Sequence, residues 1–592
     1  MRHQYRSRLN YGSIEPKSLP SPHVTFRREQ VVMWLILSSL LILWGRFFYL
    51  QIIKGESYNL INRQQLVSSQ GKRGRIYSAD GYLLAGNHYT YKVYLNVAKL
   101  QDPAATYQQL ATIIEGDKQA SASLKPLATF LDNVTAVKEK LSGRGNLIIA
   151  NNVSQETLSA LQQTGIKALE TERILKRFYP EKTMAAQVLG FLSQDKQEGH
   201  YGIEGGRNKE LSAAATASWR EVDRLGKPLS LNTQTLTTNL DGRDLYLTIR
   251  RDLQTLTEDT LAADLAKFGA SRGEIIIMDP HSGKILALAT TPNYDPANYA
   301  AYDSSLYKNP AIVDLYEPGS TFKVLVMAAA IDAGVVNPQT VCSKCSHARE
   351  VAGHFIKTWN NVYNPNITMT QALEKSDNTA MVFVADKLGV KKFQDYLHKF
   401  GIGEALNLEV EEELVSNFPQ VWGPVETATR SFGQGVSITS LQLMRAVGAI
   451  ANGGKLMRPF LIEKSTDHMG EILYTQPEVI REVISSQSAQ VMREMMQKAA
   501  AHGEAQYIYK NTNLIAGKTG TAQIPTAGGY SQETIASFIG FAPYTNPKFL
   551  MMVKFEKPQS SIYAAETAAL TWKKLAEKLF IIFNIETSLE PK

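Results

Sequence analysis

Tyr316-Glu317-Pro318-Gly319-Ser320-Thr321-Phe322-Lys323 is followed by Val324-Leu325-Val326-Met327-Ala328-Ala329-Ala330-Ile331-Asp332-Ala333 and then Gly334. Proline and glycine break the chain just before Ser320, and an apolar helix is predicted from there until a glycine can cap it. Ser320 and Lys323 are three apart, so they share one face of that helix. Ser320 also falls at its N-terminus, where backbone N–H groups and the helix dipole favour developing negative charge. A serine hydroxyl is a weak nucleophile until a base takes its proton. A lysine in a desolvated site, its pKa lowered, can be that base. Alone the motif is weak, since Ser-x-x-Lys arises by chance roughly once or twice in a chain this long. Ser305 and Lys308 form a decoy that lacks the Pro-Gly lead and the apolar helix.

Two later elements change its weight. In Glu374-Lys375-Ser376-Asp377-Asn378-Thr379-Ala380, Ser376 and Asn378 flank Asp377 in a break between helical stretches. A short turn there aims a hydroxyl suited to proton relay and an amide suited to hydrogen bonding in one direction. Ser-x-Asn is also weak alone, since Ser57/Asn59 and Ser230/Asn232 match it too. The third element is Gly517-Lys518-Thr519-Gly520-Thr521-Ala522-Gln523, the single Lys-Thr-Gly of the chain. Strands are predicted after it at Ala536–Phe541 and Phe549–Val553. Gly517 and Gly520 would let a substrate backbone approach a sheet edge, which can hold an extended peptide by strand addition. The lysine and the threonines can bind a carboxylate. Ser-x-x-Lys, Ser-x-Asn and Lys-Thr-Gly in this order are a set of acyl-transfer motifs, and the order is far more specific than any member.

Around these motifs the chain reads as globular and α+β. It has 592 residues, 44% hydrophobic and 20% charged, enough for about three to five domains or fewer large ones. Of the formal net charge of +7, Arg2, Arg6, Arg8, Lys17, Arg27 and Arg28 against Glu15 and Glu29 supply six minus two, or +4. The remainder is close to neutral, so no nucleic-acid surface is indicated. Val31–Ile53 is apolar apart from Arg46 and gives about 34 Å of helix, enough to cross a bilayer core of about 30 Å. Arg46 near its end can snorkel to an interface that suits Trp44 and Tyr49. A cleavable signal peptide is the competing reading, but Gly45-Arg46-Phe47-Phe48-Tyr49 is a poor cleavage site. Basic residues ahead of the span place the N-terminus in the cytoplasm.

Residues 1–30 read as a disordered cytoplasmic tail and 31–53 as a transmembrane anchor. Residues 54–240 read as a mixed α/β region, with a boundary near Asp241-Gly242. Gly199, Gly202, Gly205 and Gly206 mark a loop ahead of a helix. Beyond the boundary come a strand from Asp244, a helix over about Asp252–Phe268, and two strands around the turn Pro280-His281-Ser282-Gly283. That order predicts an antiparallel sheet. The two cysteines read Cys342-Ser343-Lys344-Cys345, with His347 and His354 close behind. A zinc site, a local disulfide and two plain loop thiols all remain open.

On these motifs the chain closely resembles the class B penicillin-binding proteins, and the resemblance covers nearly everything after the tail. Arg46-Phe-Phe-Tyr-Leu-Gln-Ile-Ile-Lys-Gly resembles the end of their membrane anchor. Arg73-Gly74-Arg75-Ile76 with Asp80-Gly81 and Leu84-Ala85 resembles their first pedestal motif, although Ser78-Ala79 stands where Asp-Arg is usual. Gly202-Ile203-Glu204 with Leu211 resembles the second, and Ser431-Phe432-Gly433-Gln434-Gly435, Thr439, Leu441-Gln442 and Asn452-Gly453-Gly454 resemble the catalytic domain.

The resemblance implies an elongated pedestal or dimerisation-like domain over 54–240 and a transpeptidase domain over 241–592, with an antiparallel sheet between helical groups. It implies a peptidoglycan stem peptide ending in D-Ala-D-Ala as substrate, attacked by Ser320 with Lys323 as base. Ser376 and Lys518 would relay protons, and Asn378 would hold the substrate amide. Thr519, Gly520 and Thr521 would line the substrate, the two threonines binding its carboxylate. The backbone N–H groups of Ser320 and Thr521 would form the oxyanion hole, and no metal or cofactor is needed. The Tyr-Glu-Pro-Gly-Ser-Thr-Phe-Lys and Ser-Phe-Gly-Gln-Gly versions resemble the division (septal) type more than the elongation type. The resemblance further implies the bacterial inner membrane, an extracytoplasmic catalytic domain, lipid-linked precursor strands, a multi-spanning glycosyltransferase and other division proteins as partners, and β-lactam antibiotics as covalent inhibitors. Two other classes share the motifs: a β-lactamase or β-lactam sensor, and a division scaffold that has lost activity.

Overall fold

The computed structural model describes residues 28–53, 63–141, 145–193, 197–213, 215–222, 241–416, 418–506, 514–526 and 528–586. The expected tail up to residue 27 and the pairs Ser57/Asn59 and Ser230/Asn232 lie outside the described residues. The chain divides into two compact units, one of Met1–Ser69 with Thr216–Thr238 and one of Gln70–Ala215 with Asn239–Lys592.

In the first unit, helix α1 (Arg28–Phe48) runs into a π-helical turn, Tyr49–Ile53. Among the described residues, Arg28–Ile53 is the one helix long and apolar enough to cross a membrane. Val32, Trp34, Leu41, Ile42 and Trp44 are all exposed on it, a surface that suits hydrocarbon and not water. The expected span begins at Val31, and the helix starts three residues earlier because Arg28 and Glu29 extend it as a polar first turn. The same unit contains the strand Arg63–Gln70, paired with Ala215–Val222.

The second unit opens with β1 (Ile76–Tyr77) and the long β2 (Leu83–Asn96). Helices α2 (Pro103–Ile114) and α3 (Leu127–Lys140), β3 (Asn146–Val153), α4 (Gln155–Gln163) and β4 (Leu169–Phe178) follow. Asp102 and Ser154 cap α2 and α4 through side-chain acceptors, as their residue types favour. Val93 and Leu95 on β2 pack against Tyr107, Leu110, Phe130, Val134, Leu158 and Leu161 from the three helices. Strand β2 pairs antiparallel with both β3 and β4, and β1 pairs antiparallel with β2 and parallel with β5 (Asp244–Leu247). Ile462–Thr466 joins β5 on its other side and carries Ile472–Tyr474 at the edge. One mixed sheet of seven described strands therefore ties residues 76–178 to the later part of the chain.

A buried ion triad locks this junction. Glu204 is 0% exposed and receives Arg73 Nε and Arg177 Nε, each at 2.7 Å. Arg73 also reaches Asn208 and Ser212, and Arg177 the Gly74 carbonyl. Ser78, standing where an aspartate is usual in the resembled motif, closes its turn without an ion pair: its hydroxyl accepts from Tyr82 N at 3.0 Å. The loop expected at Gly199–Gly206 is instead a short helix, α5 (Gly202–Gly206), after a two-residue strand. The turn is wound because Glu204 points into the triad while Gly202 N donates to the Glu412 carboxylate at 2.9 Å.

The later part of the chain is built on a second sheet, fully antiparallel. Helix α6 (Arg251–Phe268) leads to β6 (Arg272–Met278) and β7 (Ile285–Thr291), the expected strand pair. Helices α7 (Lys323–Asp332), α8 (Met369–Glu374), α9 (Asn378–Leu388), α10 (Ser440–Ala451) and α11 (Ser486–His502) come next. Then follow β8 (Ala516–Thr526), β9 (Gly529–Ala542), β10 (Phe549–Glu556) and α12 (Ala568–Ile582). The strand order is β7-β6-β10-β9-β8, with β8 at an edge. Side chains alternate between two faces. Ile275 and Ile277 pack on Leu253, Leu261, Trp572 and Leu579 of α6 and α12. Ile276 and Met278 face the core that holds α7, α9 and α10. Each large apolar side chain so buried contributes roughly 1.5–3 kcal/mol, and the sheet sits between two helical groups, as the family resemblance implies.

Candidate active site

Ser320 lies in the 3-10 turn Gly319–Phe322, which runs straight into α7. Its Thr321 neighbour closes the turn by donating to Pro318 O at 2.7 Å, and Lys323 N donates to Ser320 O. In a 3-10 turn residues three apart eclipse, so Ser320 and Lys323 share a face even before the α-helix begins. The segment is bolted from below. Tyr316 and Ile438 exchange backbone hydrogen bonds at 3.0 and 3.1 Å, and Glu317 accepts from Gly435 N at 2.9 Å and Tyr530 OH at 3.0 Å. Gly319 has φ +55° and donates to Gly433 O. A Cβ on Gly433 would collide with the Gly319 backbone, so both glycines are required for this close approach.

Lys323 is wholly buried. Its Nζ donates to Ser376 O at 2.7 Å, to Asn378 Oδ1 at 2.7 Å and to Ser376 Oγ at 3.2 Å. Asn378 Nδ2 in turn donates to Lys357 O at 3.0 Å, which fixes the amide orientation. Ser376 holds φ +52°, a conformation that costs a non-glycine residue about 1–3 kcal/mol. It is held there by the end of α8 and by Asp377, whose carboxylate caps α9 through Thr379 N and Ala380 N. The first two motifs therefore meet at one amine.

The third motif lies on edge strand β8. Lys518 is buried and donates from Nζ to Thr519 Oγ1 at 2.9 Å. Thr519 Oγ1 in turn donates a hydrogen bond to Glu504 Oε2 at 2.8 Å. Thr521 Oγ1 accepts from Ala564 N at 3.2 Å. A Cβ on Gly520 would lie 2.7 Å from Ser537 Oγ, 2.8 Å from Thr321 Cγ2 and 3.1 Å from Pro318 O, so this glycine lets the Ser320 turn pack against β8. Gly517 makes room for the Phe538 ring.

Burial pushes the Lys323 amine down to about 7, and the charge of Lys518 pushes the same way, while Glu504 and Asp377 oppose them. Burial also depresses Lys518, again opposed by Glu504. A neutral Lys323 has two N–H groups for its two 2.7 Å acceptors, leaving its lone pair for a hydroxyl proton. An amine half-neutral near pH 7 is what a general base needs.

Against known families, residues 273–576 match the model described as penicillin binding protein transpeptidase domain. The chain belongs to this family. Residues 68–247 match the penicillin-binding protein dimerisation domain. The chain is similar to stage V sporulation protein D of Bacillus subtilis, at 29% identity over 89% of this chain and 81% of that one. It is similar to peptidoglycan D,D-transpeptidase FtsI of Escherichia coli, at 29% identity over 89% of this chain and 87% of the relative. Its fold is similar to that of penicillin binding protein 2X from Streptococcus thermophilus, with TM-score 0.70, 24% identity and coverage of 87% and 80%.

Sequence reasoning places Ser320, Lys323, Ser376, Asn378, Lys518, Thr519 and Thr521 in this penicillin-binding domain, and the described contacts join Lys323 to Ser376 and Asn378 and Lys518 to Thr519. It misses Glu504, Glu317 and Tyr530. Glu504 follows Gly503 at the end of α11, where nothing local marks an acid as part of a site. The Cys342–Cys345 pair is a disulfide. Among the described residues no group of three or more potential metal-binding side chains occurs.

Proposed function

We propose that this chain is a membrane-anchored peptidoglycan D,D-transpeptidase of the septal type that works through a Ser320 acyl-enzyme. The observation that carries the reading is the buried Lys323 amine, held between Ser376 and Asn378 one helical turn from Ser320. In this mechanism Lys323 takes the Ser320 proton as Oγ attacks the penultimate D-alanine carbonyl. The backbone N–H groups of Ser320 and Thr521 hold the oxyanion. Collapse breaks the peptide bond, and D-alanine leaves with a proton relayed through Ser376 and Lys518. An amine of a neighbouring stem then attacks the ester, gives up a proton to the same base, and Ser320 is released with its hydroxyl restored. Thr519 and Thr521 bind the terminal carboxylate, and Asn378 holds a substrate amide.

The relatives named FtsI and stage V sporulation protein D support the septal assignment. We assign residues 1–30 to a cytoplasmic tail, 31–53 to an anchor in the bacterial inner membrane, 54–240 to a pedestal and 241–592 to an extracytoplasmic catalytic domain. Such an enzyme works beside a multi-spanning glycosyltransferase that supplies the glycan strands, and beside other division proteins.

The test is direct. Purified protein is incubated with a fluorescent penicillin, and the adduct is mapped by peptide mass spectrometry. A stable adduct on Ser320, with D-alanine released from a stem-peptide mimic, is expected; rapid loss of the adduct would point to a β-lactamase, and an adduct elsewhere would refute the assignment. The rate should also follow the Lys323 amine. Because the neutral form is the base and burial brings its midpoint to about 7, acylation is expected to rise with pH through about 7. A time course of labelling at several pH values checks this, and a rate that falls as pH rises would contradict it.

A further inference from the structure

Glu504 is in neither the three motifs nor the helices and strands that carry them, yet it touches the third motif. Its Oε2 accepts a hydrogen bond from the Thr519 hydroxyl at 2.8 Å, and that hydroxyl accepts from Lys518 at 2.9 Å. Its charge acts on Lys518 of strand β8 and on Lys323 of α7, and Asp377 at the start of α9 acts on Lys323 in the same direction. The end of α8 presents Glu374, 3.5 Å from the exposed His502 of α11. Gly503 brings the turn in: a Cβ there would lie 2.8 Å from Glu374 O. Two lysines are thus buried in one site, and Glu504 lies in the hydrogen-bonded chain that starts from one of them.

We propose that Glu504 is a positioning residue of the acylation site: its carboxylate orients the Thr519 hydroxyl and supplies the negative charge that balances Lys518 and Lys323. This rests on the reading of Lys323 as the base for Ser320. A second consequence concerns the substrate. The Thr519 hydroxyl donates to Glu504 in the free site, so an incoming carboxylate must share or displace that bond. Glu504 therefore acts on both the proton balance of the lysines and the occupancy of the carboxylate subsite. Its sign is opposite to that of burial, because a nearby negative charge favours the ammonium form.

The experiment measures penicillin acylation rate against pH for the full chain in detergent, as wild type, Glu504→Gln and Glu504→Asp. Removing the charge is expected to move the rising limb to lower pH, so that acylation below the wild-type midpoint becomes roughly two- to fivefold faster. Glu504→Asp, which keeps the charge, is expected to return the limb toward wild type. Glu504→Ala has the same expected shift as Glu504→Gln and serves if the amide variant does not fold. A merely structural role would change rate at all pH values or thermal stability and leave the limb in place; that result overturns the inference. An adduct on Ser320 with an unmoved limb removes the Glu504 role alone, while no adduct on wild type removes it together with the acyl-enzyme reading.

Discussion

Lys323→Met is expected to lower the rate of penicillin acylation by about a thousandfold or more, with Ser320→Ala reducing it to nothing measurable. The methionine keeps most of the volume of a side chain that is 0% exposed, so the fold is retained and the chemistry is lost. Ser376 O and Asn378 Oδ1 lose their donor; leaving such a group buried and unpaired costs about 1–3 kcal/mol. Part of that cost is offset because an amine no longer has to be held in the interior. A melting curve taken beside the kinetics therefore separates the two effects. Nucleophile and base act as one unit, so the double variant should be no slower than Ser320→Ala alone. If Lys323→Met were acylated within tenfold of wild type, the base would have to be sought on the Lys518 side of the site.

The second large effect is on stability and lies far from the chemistry. Glu204→Gln is expected to destabilise the larger unit by about 3–5 kcal/mol, because it leaves Arg73 and Arg177 buried against a neutral amide. Both guanidinium groups bond the carboxylate at 2.7 Å, and their side chains are 7% and 3% exposed. Burial by itself would push the Glu204 carboxyl up, but Arg177 and Arg73 together hold it below the usual carboxylate range. A group depressed in this way stabilises the fold above its unfolded pKa, and that contribution is lost as pH falls through the folded value. Thermal unfolding of wild type should therefore lose stability on acidification by more than Glu204→Gln does. Replacing all three members by apolar residues of similar size should cost less than the single change. Equal pH dependence in wild type and Glu204→Gln would show that the triad does not carry the stability assigned to it.

Part of this arrangement is legible in the sequence. Ser320, Lys323, Ser376, Asn378 and Lys518 are legible as one set of candidates because spacing on a helix or within a short turn constrains where side chains point, and three ordered motifs multiply the constraint. The apolar run before Gly334 and the alternation in Asp244–Leu247 are legible for the same reason, since helix and strand periods are local properties. At Gly520 the local signal stops short, because a glycine in a strand says only that something comes close. The neighbour is Pro318 and Thr321, about two hundred residues earlier in the sequence. The disulfide was one of three open readings because a Cys-x-x-Cys spacing allows all three.

The sequence by itself determined the long apolar helix, the order of elements and the motif residues proposed to react, since each depends on periodicity or on residues within one turn of each other. Only the tertiary structure decided how Lys323 is desolvated, that Gly433 seats the Gly319 turn, that Tyr530 and Gly435 hold Glu317, and that Glu504 reaches Thr519. Those features arise where distant segments meet, and the free energy of such a contact depends on burial and distance in space, neither of which is written in any local stretch of the chain.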